Sequence, residues 1–310
     1  MTAGRLEFVG FVDLPAHRRP GGFDYAAVHR RSGRVYVAHT ANDAIDVIDG
    51  LTYRYVGSIP DLIGVAGALV SDEHDLVFTS NRGENTVGIF VPADRPSVTK
   101  VGVGVRPNGL AYGPDLNLLL AANGGDPAIP GSFTVSLIDV RTRQFPTEIP
   151  VHGRTRWSVY DSSSHAFFVT IANPAEIAVI DGRSRRVVRT IAIPAVGPHG
   201  LDIDPEGRRL FCACDNQVLI EVHTDSGEVL RSAKLGGVSH VILFNRQQKH
   251  LYAAIGDPGV IEVFDSRDLR QCETIPTEQG AHTIGLDAER DIVYAFLRET
   301  HRAAVFSDRA

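Results

Sequence analysis

Three histidines, His199, His240 and His282, stand 41 and 42 residues apart, each just ahead of a short apolar–polar alternation. A carboxylate, Asp24, holds the matching place early in the chain. Neutral imidazole nitrogens and a carboxylate are ligands for zinc, iron, manganese or nickel. Three protein ligands and an open position are what a catalytic metal needs. Two more residues at the matching place, Arg156 and Asn108, suit a substrate. A guanidinium in particular offers a rigid planar fork to a carboxylate or an enolate. The remaining holder of the place, Ala66, ligates nothing. Three of the chain's 12 histidines at seven matching positions exceed a chance scatter, although duplication of one ancestral unit would also repeat a histidine.

The matching place is defined by the elements that must carry it. Each of the seven residues lies twelve positions before an apolar or aromatic residue: Tyr36, Phe78, Leu120, Phe168, Phe211, Tyr252 and Tyr294. Those seven follow one another at intervals of 42, 42, 48, 43, 41 and 42 residues. The long interval holds an extra turn-rich stretch, Asn123 to Gly131, which lengthens one hairpin loop. Within each unit the apolar residues alternate with polar ones over four short runs, as half-buried strands require. In the first unit these are Tyr25–Val28, Arg34–Ala38, Ala44–Ile48 and Tyr53–Ile59; in the fifth they begin at Gly200, Arg209, Val218 and Val229. No stretch shows a helical period. Four strands per unit at a period near 42 predict an all-β, seven-bladed β-propeller with four antiparallel strands per blade, a single domain over residues 1–310. The seventh unit runs out of chain after three strands, near Ile284, Ile292 and Ala303. Leu6 to Asp13 is a spare strand, so the N-terminal strand is expected to close the last blade and leave no open edge.

The run Pro198-His199-Gly200-Leu201-Asp202-Ile203-Asp204-Pro205-Glu206-Gly207, followed by a strand, a loop and a hydrophobic–Asp strand end, resembles the YVTN-type seven-bladed propeller repeat. That superfamily is similar to cytosolic lactonases and streptogramin lyases, and the resemblance extends over nearly the whole chain. Ala66-Gly67 and Arg156-Trp157 depart from its usual Pro-x-Gly, and Tyr36-Val37-Ala38-His39 and Phe211-Cys212-Ala213-Cys214 depart from its strand tetrapeptide. The resemblance implies hydrolysis of a lactone first, and elimination or isomerisation through an enolate next. A histidine-rich seven-bladed propeller is also similar to the iron oxygenases that cleave carotenoids, which use four histidines and a longer chain.

In a propeller the first strand of each blade lines the channel, so the seven matching residues are expected to form one ring at a channel mouth. His199, His240, His282 and Asp24 fall in consecutive blades and are the expected metal ligands; Arg156 and Asn108 face them and orient a small, anionic substrate. Residues fifteen places after each ring position (His39, Asn81, Asn123, Ile171, Cys214, Ile255 and Leu297) are expected at the same mouth, with Arg82, Asp215, Arg298 and Glu299 beside them. His39 is then a fourth ligand, a general base, a partner that orients a ligand, or a plain hydrogen-bonded loop histidine. Asp24 or His39 would move a proton. His17-Arg18-Arg19 and His152-Gly153-Arg154 would rim the site and draw in an anion. Cys212 and Cys214 share one side of a strand and are expected to be buried thiols.

The whole chain bounds the function from outside. It has 310 residues, 43% hydrophobic and 22% charged, and a net charge of -6. The negative balance and the lack of aromatics among the basic residues argue against nucleic acid. No apolar run is long enough to span a bilayer, and Met1 to Pro15 lacks the pattern of a secretory leader. Three cysteines without zinc-site spacing suit a reducing cytoplasm. There is no P-loop, dinucleotide fingerprint or nucleophile elbow. The reading is a metal-dependent enzyme of the cytoplasm acting on a small molecule. A propeller that only binds a ligand or a protein is the alternative of another class. The oligomeric state is left open.

Overall fold

A computed structural model describes residues 6–143 and 147–309; Met1 to Arg5, part of the segment read for a leader, lie outside the described residues. The described residues form 28 strands and two short 3-10 turns, with no α-helix among them. The strands assemble into seven four-stranded antiparallel sheets. Blade 1 takes its strands in chain order, Phe23–His29, Arg34–His39, Ala44–Asp49 and Arg54–Ile59, and blades 2 to 6 repeat the scheme. Blade 7 is completed by the N-terminal strand Leu6–Asp13. It pairs antiparallel with Arg302–Asp308, from Leu6 opposite Asp308 to Asp13 opposite Arg302. Each innermost strand packs on the next and the last on the first, so the ring closes.

The seven apolar residues that set the repeat explain why the blades stack. Tyr36, Phe78, Leu120, Phe168, Phe211, Tyr252 and Tyr294 are all buried. They belong to seven apolar clusters, one between each pair of neighbouring blades. The core is thus a set of flat layers between sheets. Burial of the second and third strands on both faces makes them nearly continuous apolar runs, such as Leu118–Asn123 and Ala166–Ile171.

Candidate functional site

The ring residues owe their orientation to a break in the ladder. In six blades the register between the first and second strands skips just where the ring residue sits. The skips fall between Phe23 and Ala26, Val65 and Gly67, Pro107 and Leu110, Thr155 and Ser158, Pro198 and Leu201, and Ser239 and Val241. A bulge of this kind releases a residue from pairing and turns its side chain off the sheet. Asp24, Ala66, Asn108, Arg156, His199 and His240 lie inside these skips, and His282 immediately precedes its strand Thr283–Asp287. The glycine that follows three of them has a steric reason. A Cβ on Gly67, Gly109 or Gly200 would come within 2.7 to 2.9 Å of the carbonyl oxygen of Asn108, Arg156 or His240, the ring residue of the next blade.

The ring lines a cavity of about 570 Å³, within the size range of small-molecule sites. Six of the seven ring residues, Asp24, Asn108, Arg156, His199, His240 and His282, are in its wall, joined by Arg82, Arg106 and Arg154. The inserted loop of blade 3 contributes Gly124, Gly125, Pro127 and Phe133. Four guanidiniums therefore face one lining carboxylate in a protein whose overall charge is -6. Arg82 is 3.2 Å from Asp24 Oδ2 and donates to Asn108 Oδ1. Asn108 in turn donates from Nδ2 to the Arg156 carbonyl (3.2 Å), so both ends of its amide are engaged in holding neighbours. Arg156 Nη2 is 3.6 Å from Asp215 Oδ2, while its buried Nε has no hydrogen-bond partner among the described residues. Arg154 has no carboxylate partner among them either. Its burial and its three arginine neighbours pull its guanidinium below its ordinary value.

The histidines run along one wall. His199 and His240 stack with ring centres 4.1 Å apart, and His282 meets His240 edge-on at 5.5 Å. His199 Nδ1 is 3.0 Å from Asp215 Oδ1. Burial holds His199 below its ordinary value, and burial with two neighbouring imidazoles pushes His240 down to about 3. Burial would raise the Asp215 carboxyl, yet the bond to His199 and the nearby Arg156 hold it below its ordinary range. His199, Asp215 and His240 offer ligand atoms that all lie within 4.8 Å of one another. Two neutral imidazoles and one ionised carboxylate are a donor set that fits a first-row divalent ion.

The structure thus brings His199 and His240 together as expected, but supplies their carboxylate differently. Asp24 faces Arg82, and burial, the largest influence on it, pushes its carboxyl up. Asp215, from the turn after the second strand of the His199 blade, takes the place expected of Asp24. His282 stands next to this trio, its Nδ1 donating to the Gly280 carbonyl (2.8 Å). His39 is outside the cavity: it is fully buried inside blade 1, with Nδ1 2.6 Å from Asp46 Oδ2. Five others of the expected layer share this fate, and Leu297 is buried too but pairs with Arg302. His39, Asn81, Asn123, Ile171, Cys214 and Ile255 are fully buried, because each pairs with the residue before the ring position and points between blades. Side chains alternate along a strand, so the following residue faces the mouth, and that is where Arg82 and Asp215 are found.

Two contributions are new. Tyr25 and Trp157 follow the ring residues of blades 1 and 4, a place where blades 2, 3 and 5 carry glycine. Their rings stack with centres 3.4 Å apart and planes at 13°, and the Tyr25 hydroxyl donates to the His240 carbonyl (3.2 Å). Three blades apart, they bridge the channel and give the cavity a floor. Arg106 is the second. Two places before the ring position, Gly64, Gly197 and Gly280 adopt left-handed backbone, with φ of +62°, +64° and +85°. Arg106 holds the same place in blade 3 at φ +58°. A bulky residue in a conformation meant for glycine is strained, and the departure from glycine was readable.

No family model matches the chain. A curated relative, the WD repeat-containing protein JIP5 of Candida glabrata, is 25% identical over 153 residues, 49% of this chain and 28% of that protein. The chain thus spans little more than a quarter of the relative's length. Among solved structures it is similar to Kuenenia stuttgartiensis hydrazine synthase, with a TM-score of 0.80, 14% identity, and 94% and 96% of the two chains covered. It is similar also to a chain of the mitotic checkpoint complex, with a TM-score of 0.81, 11% identity, and 99% and 94% covered. The fold is a seven-bladed β-propeller. Neighbours at this identity share that fold, one of them named as an enzyme and another belonging to an assembly, so function has to be argued from the site.

Proposed function

We propose that this propeller is a metal-dependent enzyme acting on a small organic anion at the channel mouth. The observation that carries the reading is the cavity itself, with four arginines and two histidines in its wall and, beside those histidines and 3.6 Å from Arg156, the Asp215 carboxylate that completes a ligand set. His199, His240 and Asp215 would hold the ion, whose bound form would polarise a substrate oxygen or lower the pKa of water. Arg154 and Arg156, with Arg106 at the rim, bind and orient the anion; Asn108 holds Arg82 and the Arg156 backbone in place. Asp24, whose carboxyl is pushed up by burial, holds or moves a proton at Oδ1 or Oδ2. The Tyr25–Trp157 floor keeps water from entering through the channel. Hydrolysis of an anionic lactone is the first reaction to assay, followed by elimination or isomerisation of enolisable acids. The protein is expected to carry zinc, iron, manganese or nickel, to lose it in Asp215→Asn, and to turn over a member of these panels. Failure to take up metal after reconstitution, with no turnover, removes the reading.

A propeller that binds a partner without catalysis is supported by one observation. Phe8 and Phe11 on the closing strand are half exposed and line a mainly apolar groove beside blade 6. That alternative predicts no loss of function in Asp215→Asn.

A further inference from the structure

Away from the mouth cavity, three more histidines meet at the seam where the ring closes. His17 lies between the closing strand Leu6–Asp13 and blade 1, His39 ends the second strand of blade 1, and His301 sits in the turn before Arg302–Asp308 of blade 7. The His17 ring is 4.4 Å from His301 and 4.9 Å from His39, at interplanar angles of 70° and 69°. One nitrogen of each ring is buried and has no hydrogen-bond partner among the described residues: Nε2 of His17, Nε2 of His39 and Nδ1 of His301. A buried polar atom left unsatisfied is costly, because it has given up water without gaining a partner. Three such nitrogens on adjoining rings point to a group that satisfies them together.

The surroundings suit a cation with imidazole ligands. His39 Nδ1 is held by Asp46, which also accepts from Ser58 Oγ (2.5 Å). A carboxylate behind one ring nitrogen fixes the tautomer and makes the opposite nitrogen the better ligand. Phe23 covers the group, with its ring 4.5 Å from His39 and 5.2 Å from His17. Arg298 is the cation facing His17 and Asp46 the facing carboxylate. We propose that His17, His39 and His301 form a second transition-metal site, which fastens the linker and blade 7 to blade 1 at the closing seam. Three imidazoles suit zinc. The three nitrogens are more widely spread than the donors of His199, Asp215 and His240. Binding therefore draws in His17 and His301, both on irregular segments, toward His39, which Asp46 holds still.

The test is a zinc titration of chelator-stripped His199→Ala/His240→Ala protein, in which the mouth cluster is removed. One equivalent of zinc and a raised melting temperature are expected, and both disappear on adding His17→Gln or His301→Gln. In the otherwise native protein, His301→Gln lowers the zinc count by one and leaves His240-dependent zinc in place, which separates this site from the mouth. The proposal is overturned if the double variant, folded by circular dichroism, takes up no zinc, as it would if water filled the site. It is overturned equally if uptake and thermal shift survive both glutamine substitutions.

Discussion

Replacing Arg106 by glycine separates a residue kept for function from one kept for structure. Left-handed backbone costs a residue with a side chain about 1–2 kcal/mol, which glycine regains at φ +58°. Against this stand the greater freedom of glycine in the unfolded chain, about 0.4–1 kcal/mol, and an exposed ion pair. Arg106 Nη1 is 3.8 Å from Asp126 Oδ2, and such a pair contributes about 0–1 kcal/mol. The contributions nearly cancel, so Arg106→Gly should change unfolding free energy by less than about 1 kcal/mol in urea. Its guanidinium, however, lines the anion cavity. One charge-assisted hydrogen bond contributes about 1.5–3 kcal/mol, so affinity for malonate or inorganic phosphate, read by calorimetry, should fall roughly 10- to 100-fold. Arg185→Gly is the control. It has the same backbone sign, with φ +55°, in a hairpin turn outside the cavity, and should leave affinity unchanged. An unaltered affinity in Arg106→Gly, or a loss of stability beyond about 2 kcal/mol, would refute the reasoning.

Other expectations follow from the same geometry. Tyr25→Phe removes the bond to the His240 carbonyl and should lower stability by about 1 kcal/mol, whereas Trp157→Ala, which opens the floor, should lower it by about 3–5 kcal/mol in thermal or urea melts. Burial raises the Asp202 carboxyl to about 6, although the Phe244 and Ile203 amides donate to it. The folded protein then binds the proton more tightly than the unfolded one, so stability should fall as pH rises from about 4 to 6, by at most about 3 kcal/mol. Asp202→Asn should flatten that slope, and an unchanged urea midpoint profile would count against the burial argument. Asp215→Asn should abolish metal uptake at the mouth by elemental analysis while leaving the far-ultraviolet circular dichroism intact.

The blade count, the strand positions and the closing strand were legible because each rests on apolar alternation repeated seven times, and a repeat averages out local ambiguity. The ring was legible for the same reason. What sequence periodicity missed was parity. His39 and its equivalents were counted to the mouth, but strand alternation sends them between blades and presents the following residue, which is why Asp215 and Arg82 are in the site. The choice between Asp24 and Asp215 as partner of the histidines depends on where Arg82 reaches, and that is set by contacts across blades. Arg106, Tyr25 and Trp157 did leave a trace, as large residues at places where three or four of the other units carry glycine, although Arg154, Val238, Val241 and Thr283 depart from it too.

The bulges at the ring have an evolutionary consequence. A residue inside a register skip has no cross-strand partner to match, so its replacement leaves the ladder and the interblade layers untouched. The six ring positions inside such skips therefore behave as sockets in a fixed frame, which accounts for Asp, Ala, Asn, Arg and His occupying equivalent places in one chain. Chemistry can be rewritten there one blade at a time, and a library confined to these positions should yield folded proteins far more often than one of equal size in the second strands.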